Sequence, residues 1–171
     1  MPTRPPPVIR DVRPDETDRL QRVFRRSSLA NEDDRPILQR NPDALELPAP
    51  QVGDRVRVAT VDDTIAGFAT VRDLGDALEV VDLFVDPPWM RRGIGHALVA
   101  DAVAFAMERG RRYLEVTANP HALRFYANEG FVVDHDVETR FGPAPRMRLE
   151  LAWTRNRRRL EDSGGGLYSR P

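Results

Sequence analysis

Residues 79–98 read EVVDLFVDPPWMRRGIGHAL, and the reading of this stretch decides the fold. Val80, Val81, Leu83, Phe84 and Val85 make a nearly continuous apolar run, rich in β-branched and aromatic residues, as a buried strand requires. Asp86-Pro87-Pro88 ends that strand, because proline has no N–H to give to a ladder. Beyond a short turn, Arg91-Arg92-Gly93-Ile94-Gly95 leads into a helical pattern. Ile94, Leu98 and Phe105 share one of its faces, with Ala97 and Ala102 beside them. Strand, turn, glycines and helix start together make an anion site, since the free N–H groups of a first helical turn and the positive end of the helix dipole favour phosphate. Gly93 and Gly95 keep side chains off that backbone, and Arg91 and Arg92 add charge beside it. The same residues also fit a glycine-softened helix start with two solvated arginines, because short glycine motifs match by chance.

The chain beyond this helix adds a second signature. It runs Leu114-Glu115-Val116-Thr117, then Asn119-Pro120-His121-Ala122-Leu123-Arg124-Phe125-Tyr126, and closes at Gly130-Phe131. The two segments resemble motifs A and B of the GCN5-related N-acetyltransferase (GNAT) superfamily. The pyrophosphate loop of that family, Gln/Arg-x-x-Gly-x-Gly/Ala, falls on Met90-Arg91-Arg92-Gly93-Ile94-Gly95, where Met90 departs from the first position. The resemblance covers about residues 8–153 and does not specify a substrate.

What the resemblance implies is an acetyl-CoA-dependent N-acetyltransferase that passes acetyl directly to a primary amine of a small molecule or peptide. The chain has no cysteine to carry an acyl intermediate. Arg91, Arg92, Gly93, Ile94, Gly95 and His96 would surround the diphosphate of coenzyme A. Backbone of Leu83, Phe84 and Val85 would pair with the pantetheine arm like an added strand, and an N–H near Val85 would polarise the thioester carbonyl. Tyr126 holds the family's motif B tyrosine position, and its phenol is matched in pKa to a departing thiol; it is equally placed as a core aromatic beside Phe125. Asn119 is either a contact of the pantetheine arm or an N-cap. Glu79 falls where one branch of the family keeps its catalytic glutamate, and Asp82, on the opposite strand face by parity, is the alternative base. Arg140 and Phe141 lie in a loop that borders the acceptor in relatives. A non-catalytic acyl-CoA binding or sensing module with the same fold is the competing reading. A dinucleotide-binding domain fits poorly, since the third glycine and an initial βαβ unit are absent.

Composition narrows the remaining classes. With 171 residues and 40% hydrophobic content, one core is expected, giving a disordered terminus at 1–7, one domain at 8–153 and a mobile Arg/Gly-rich tail at 154–171. A net charge of −1 offers no electrostatic reason for nucleic acid as partner. The absence of cysteine excludes disulfides and thiolate metal sites and fits a cytoplasmic protein, and three histidines make zinc a poor expectation. No apolar run approaches the ~20 residues of a membrane helix. Many relatives pair as homodimers, so a dimer is within what the resemblance implies.

The rest of the chain supplies the frame. Residues 8–12 read as a first strand and 14–16 as an acidic helix start, with Leu20, Val23 and Phe24 as the buried stripe. The stretch 31–50 carries five acidic residues and four prolines around a short helix at 37–39. As a charged run it is a solvated face before it is a binding surface, though it would suit a cationic acceptor. Residues 55–61 and 65–71 form a hairpin leading to the central strand, and a helix to about residue 109 leads to a parallel strand at 114–117. A helix ending at Gly130, a strand at 131–136, a loop at 140–146 and a last strand at 146–153 complete an α+β domain. Its mixed, mostly antiparallel sheet of six to seven strands carries about four helices and, by the resemblance, is splayed between two central parallel strands.

Overall fold

A computed structural model describes residues 5–152. Seven strands form one sheet: β1 (Val8–Asp11), β2 (Arg55–Val61), β3 (Thr64–Asp73), β4 (Ala77–Val85), β5 (Tyr113–Thr117), β6 (Val132–Thr139) and β7 (Gly142–Glu150). Their spatial order is β1-β2-β3-β4-β5-β7-β6, and only β4 and β5 run parallel. The helices are α1 (Thr17–Ser28), α2 (Arg35–Arg40), α3 (Ile94–Glu108) and α4 (Leu123–Asn128). The α+β layout with a mostly antiparallel sheet and four helices is thus present, and the final expected strand residue, Trp153, lies outside the described residues, as do residues 1–4 and the whole 154–171 tail.

Alternation along the strands assigns a helix to each face of the sheet. Val58 and Phe68 point to one side, where Leu20, Val23 and Phe24 of α1 cover them. Leu78, Val80, Leu114 and Val116 point to the other, beneath Val99, Ala102 and Ala106 of α3. The centre of the α3 stripe is therefore Leu98, Val99, Ala102 and Ala106, while Phe105 lies at its margin with the Arg55 guanidinium 4.1 Å from its ring centre. Leu78, Leu98 and Leu114 are at most 1% exposed, so truncating any of them to alanine removes about 2–5 kcal/mol of stability.

The acidic start at residues 14–16 is a 3-10 turn rather than part of a helix. Glu16 is buried within it, held by both Arg10 guanidinium nitrogens at 2.7 and 2.9 Å and by the Arg13 N–H. It fastens the first strand to α1, a larger role than dipole compensation.

Two departures from the expected layout shape the site. First, the loop expected at 140–146 is a tight turn, Arg140-Phe141, and β7 starts at Gly142 (φ +106°). Pro143 and Pro145 suggested a loop because proline breaks ladders. Here the Pro145 carbonyl accepts from Ala118 N–H at 2.9 Å, so the proline nitrogens face the β5 side of the strand, past Thr117, where no strand needs a donor. Second, a bulge interrupts β4: Val80 pairs with Val71 and Asp82 with Thr70, leaving Val81 with no partner. The strands β4 and β5 stay paired only from Ala77 to Val80, although β4 continues against β3 to Val85. The parting of the two parallel strands therefore begins at the bulge, well before Asp86 ends β4.

Candidate functional site

The parting leaves one edge of Val81 to Val85 without a neighbouring strand on the β5 side. A cleft of about 760 Å³ opens there. Leu83 and Phe84 line it from β4, Thr117 to Ala122 from the end of β5, Ser27, Asn31, Asp34, Ile37 and Leu38 among others from the α1–α2 segment, and Thr139 and Phe141 to Ala144 from the last hairpin. Of the three residues expected to meet the pantetheine arm, Leu83 and Val85 turn their backbone groups to this open edge and are free to bond an extended ligand, while Phe84 pairs with Phe68 of β3.

The glycine loop lies at the same end of β4. Asp86 ends the strand, its N–H held by the Ala66 carbonyl at 2.8 Å and its carboxylate 3.1 Å from the Arg26 guanidinium of α1. Pro87 to Trp89 form a 3-10 turn, and Arg91 (φ +57°) and Gly93 (φ +78°) are both left-handed. That double reversal turns the chain into α3, where Gly93 is the N-cap and its carbonyl accepts the Ala97 N–H at 2.9 Å. The N–H groups of the first turn have no intrahelical acceptor. A Cβ built on Gly93 would meet nothing within 4 Å, so its surroundings are open.

Gly95 serves differently from the expectation. A Cβ there would come within 3.0 Å of the Phe125 ring, so Gly95 has to be small for α4 to close on α3. The arginines of the loop are exposed, and Arg92 stacks 5.3 Å from the Trp89 ring centre. His96 turns its ring away, with Nδ1 2.9 Å from Glu129 at the end of α4, leaving its main-chain N–H in the first turn.

Phe125 and Tyr126 diverge as adjacent helical residues must. Phe125 meets Gly95, while Tyr126 is 5% exposed and points into the core beside Phe131. Burial first, and the charge of Asp82 second, push the Tyr126 phenol well above its ordinary pKa. Asn119 caps the turn that starts α4, accepting the His121 N–H at 2.9 Å, and its amide nitrogen lies 3.3 Å from Asp34.

The bulge also corrects the expected parity of the two carboxylates. Glu79 lies opposite Arg72 and Asp82 opposite Thr70, and residues 70 and 72 share a face, so Glu79 and Asp82 do too. Glu79 is bonded by Arg146. Arg146 also reaches Thr117 at 3.1 Å and Glu115 at 2.8 Å, and Arg148 holds the other Glu115 oxygen at 2.9 Å. Burial works against the Glu115 charge, but these two arginines outweigh it and keep the carboxyl below its usual range. At Asp82 burial lifts the pKa, aided by the Asp54 charge, and the Thr70 hydroxyl and the Arg72 charge offset only part of that. Sequence reading passed over Arg146 and Thr70, although the alternation of 146 and 148 opposite Glu115 was there to be paired.

The segment expected to be a solvated acidic face is partly structural. Arg140, expected at the acceptor, is instead bound to Asn41 at 3.0 Å and to Asp43 at 3.1 Å. Phe141 remains 46% exposed on the cleft wall.

Comparison with known proteins agrees with this layout. The fold is shared with a crystal structure of the GCN5-related N-acetyltransferase from Rhodopseudomonas palustris, at a TM-score of 0.71 and 22% identity over 87% of this chain and 98% of that one. It is shared also with PaiA N-acetyltransferase from Thermoplasma acidophilum in complex with coenzyme A, at a TM-score of 0.66 and 19% identity over 84% and 98%. Residues 38–151 match the family model of the acetyltransferase (GNAT) domain, and the chain belongs to that family. An uncharacterized N-acetyltransferase of Methanocaldococcus jannaschii is 41% identical over 59 residues, 33% of this chain. The match spans only 26% of that curated relative's length.

Proposed function

We propose that the protein is an acetyl-CoA-dependent N-acetyltransferase that moves acetyl straight to a primary amine within a ternary complex. The observation that carries this is the open β4 edge at Leu83 and Val85, followed through one short turn by the left-handed Gly93 cap of α3, within a GNAT-family chain. The edge suits the amides of a pantetheine arm and the cap suits a diphosphate; the related Thermoplasma acidophilum protein is described as a complex with coenzyme A. Arg91 and Arg92 supply charge at the rim of the loop, and the Asn119 amide faces the same cleft. An N–H of the unpaired edge, up to Val85, polarises the thioester carbonyl.

The amine nitrogen attacks that carbonyl carbon, the C–S bond breaks, and one proton must leave the amine while one reaches the thiolate. Tyr126 stabilises the departing thiolate by donating a hydrogen bond to it, since burial raises its phenol and keeps it protonated, and water supplies the proton that sulfur takes up. For the first, Asp82 is the better-placed carboxylate of the two on this face. Glu79 is committed to Arg146, whereas burial raises the Asp82 carboxyl and makes it more basic than the usual carboxylate. A cytoplasmic setting and a homodimer belong to the same reading by family likeness.

Thiol release from acetyl-CoA in the presence of a panel of amines, amino acids and peptides tests the reading. Amine-dependent release supports it. Binding of acetyl-CoA with no release across the panel favours an acyl-CoA sensing module instead.

A further inference from the structure

Helix α2 roofs the cleft and is fastened on both sides. At its start Asp34 lies 3.3 Å from Asn119 Nδ2 and 3.4 Å from His121 Nε2, which crosses to the β5–α4 connection. Just past its end, Asn41 and Asp43 hold Arg140 of the β6–β7 turn. These ties use the carboxylates that the acidic segment brings to the cleft. Asp34 is the segment's only acidic residue lining it, and its oxygens meet the Asn119 amide and the His121 ring; Asp43 is neutralised by Arg140. Glu32, Asp33 and Glu46 are exposed and do not line the cleft.

Most of the lining between α2 and the last hairpin is apolar, with Ser27, Ser28 and Asn31 at the α1 side. Ile37 and Leu38 come from α2, Phe141, Pro143 and Ala144 from the hairpin, and Phe84 from β4. Phe141 and Ile37 are 46% and 37% exposed, which is solvent contact that an occupant would remove. A polycation here would surrender hydration from several charges, with Asp34 the one carboxylate among the lining residues to answer them.

We infer that the acceptor is a small primary monoamine whose carbon body is apolar, an arylalkyl or branched alkyl amine, and not a polyamine or aminoglycoside. The inference rests on the acetyl-transfer reading above. Only one nitrogen then has to be desolvated, and it is the one that loses a proton to the base and becomes the amide. The rest of the molecule is driven in by burial against Ile37, Leu38 and Phe141. The acidic appearance of the 31–50 sequence is thus a matter of internal fastening, and the specificity it suggests is reversed in the folded chain.

The test is thiol release at saturating acetyl-CoA with ethylamine, butylamine, isopentylamine and phenethylamine against spermidine and kanamycin. kcat/KM should climb roughly fourfold per added methylene, as burial of each predicts, and both polycations should trail phenethylamine by at least about tenfold. Phe141→Ala should lower kcat/KM for phenethylamine by about tenfold more than it lowers that for ethylamine. Ile37→Asp, at a partly exposed helix position, should move the preference towards spermidine. Polycations equal to or better than the apolar amines overturn the inference, as does an equal loss for both amines in Phe141→Ala. Bound acetyl-CoA in calorimetry with no release from any apolar monoamine overturns it too. Absence of acetyl-CoA binding would instead remove the underlying reading.

Discussion

Asp82 stands on the same face of β4 as Glu79, although an unbroken strand would put them on opposite faces. The unpaired Val81 between them is the cause, since it adds a residue to β4 that β3 does not match. One carboxylate is thereby tied to Arg146, and the other is left half-buried beside Thr70.

This predicts different outcomes at the two positions. Asp82→Asn should lower kcat/KM about a hundredfold and remove the acid limb of its pH profile, a limb lying above the ordinary carboxylate range because burial raises Asp82. Glu79→Gln should keep that limb. Folding gives the opposite sign. A carboxyl whose pKa is raised by folding adds stability below its unfolded pKa and loses it as pH rises through the folded value. Urea unfolding at pH 7 should therefore find Asp82→Asn as stable as the parent or more so.

Tyr126→Phe keeps the ring that packs on Phe131 and removes only the hydroxyl. The expected result is a kcat lower by about a hundredfold with acetyl-CoA affinity unchanged by calorimetry. Equal loss in both would make the residue a packing element alone.

Gly95 and Phe125 set a steric limit. Gly95→Ala should cost about 1–3 kcal/mol of stability by overpacking, although glycine to alanine inside a helix ordinarily gains up to about 1 kcal/mol. The Cβ would stand 3.0 Å from the Phe125 ring. Shortening Phe125 to leucine in the same chain should restore part of the loss, and a double-mutant cycle measures that coupling.

Glu16 gives the acid dependence. The Arg10 guanidinium, with help from the Arg13 N–H, holds its carboxyl down to about 2 from an unfolded value near 4.5. A depressed carboxyl contributes stability above its unfolded pKa and loses it as pH falls through the folded one. Of order 3 kcal/mol should disappear between about pH 4.5 and pH 2. Glu16→Gln should flatten the acid side of the stability curve measured by denaturant unfolding.

Much of the fold was legible because its signals are local. The apolar run at residues 80–85, the alternation at 55–58 and the Asn119-Pro120 helix start each state their element in a few residues. The hairpin at Arg140-Phe141 was not, because Pro143 and Pro145 are tolerated only through the absence of a β5 partner, which depends on the whole sheet. The bulge at Val81 was hidden for the same reason: it is a mismatch between two strands and neither sequence alone contains it. For the candidate site, the backbone features followed from the glycine loop, whereas the pairing of Glu79 with Arg146 and of Asp43 with Arg140 joins positions far apart in the chain. Charge counted along a segment could not say which carboxylates were already taken.

The central claim is that main-chain N–H groups at the start of α3, around Gly93, receive the diphosphate of coenzyme A. Titration of isotope-labelled protein with acetyl-CoA, followed by amide NMR, tests it most directly. The account predicts that the amides of residues 93–96 shift on saturation, that Leu83 and Val85 shift with them, and that pantetheine without its diphosphate moves only the latter pair. Saturation that leaves residues 93–96 unmoved, or no binding at about millimolar ligand, would contradict it.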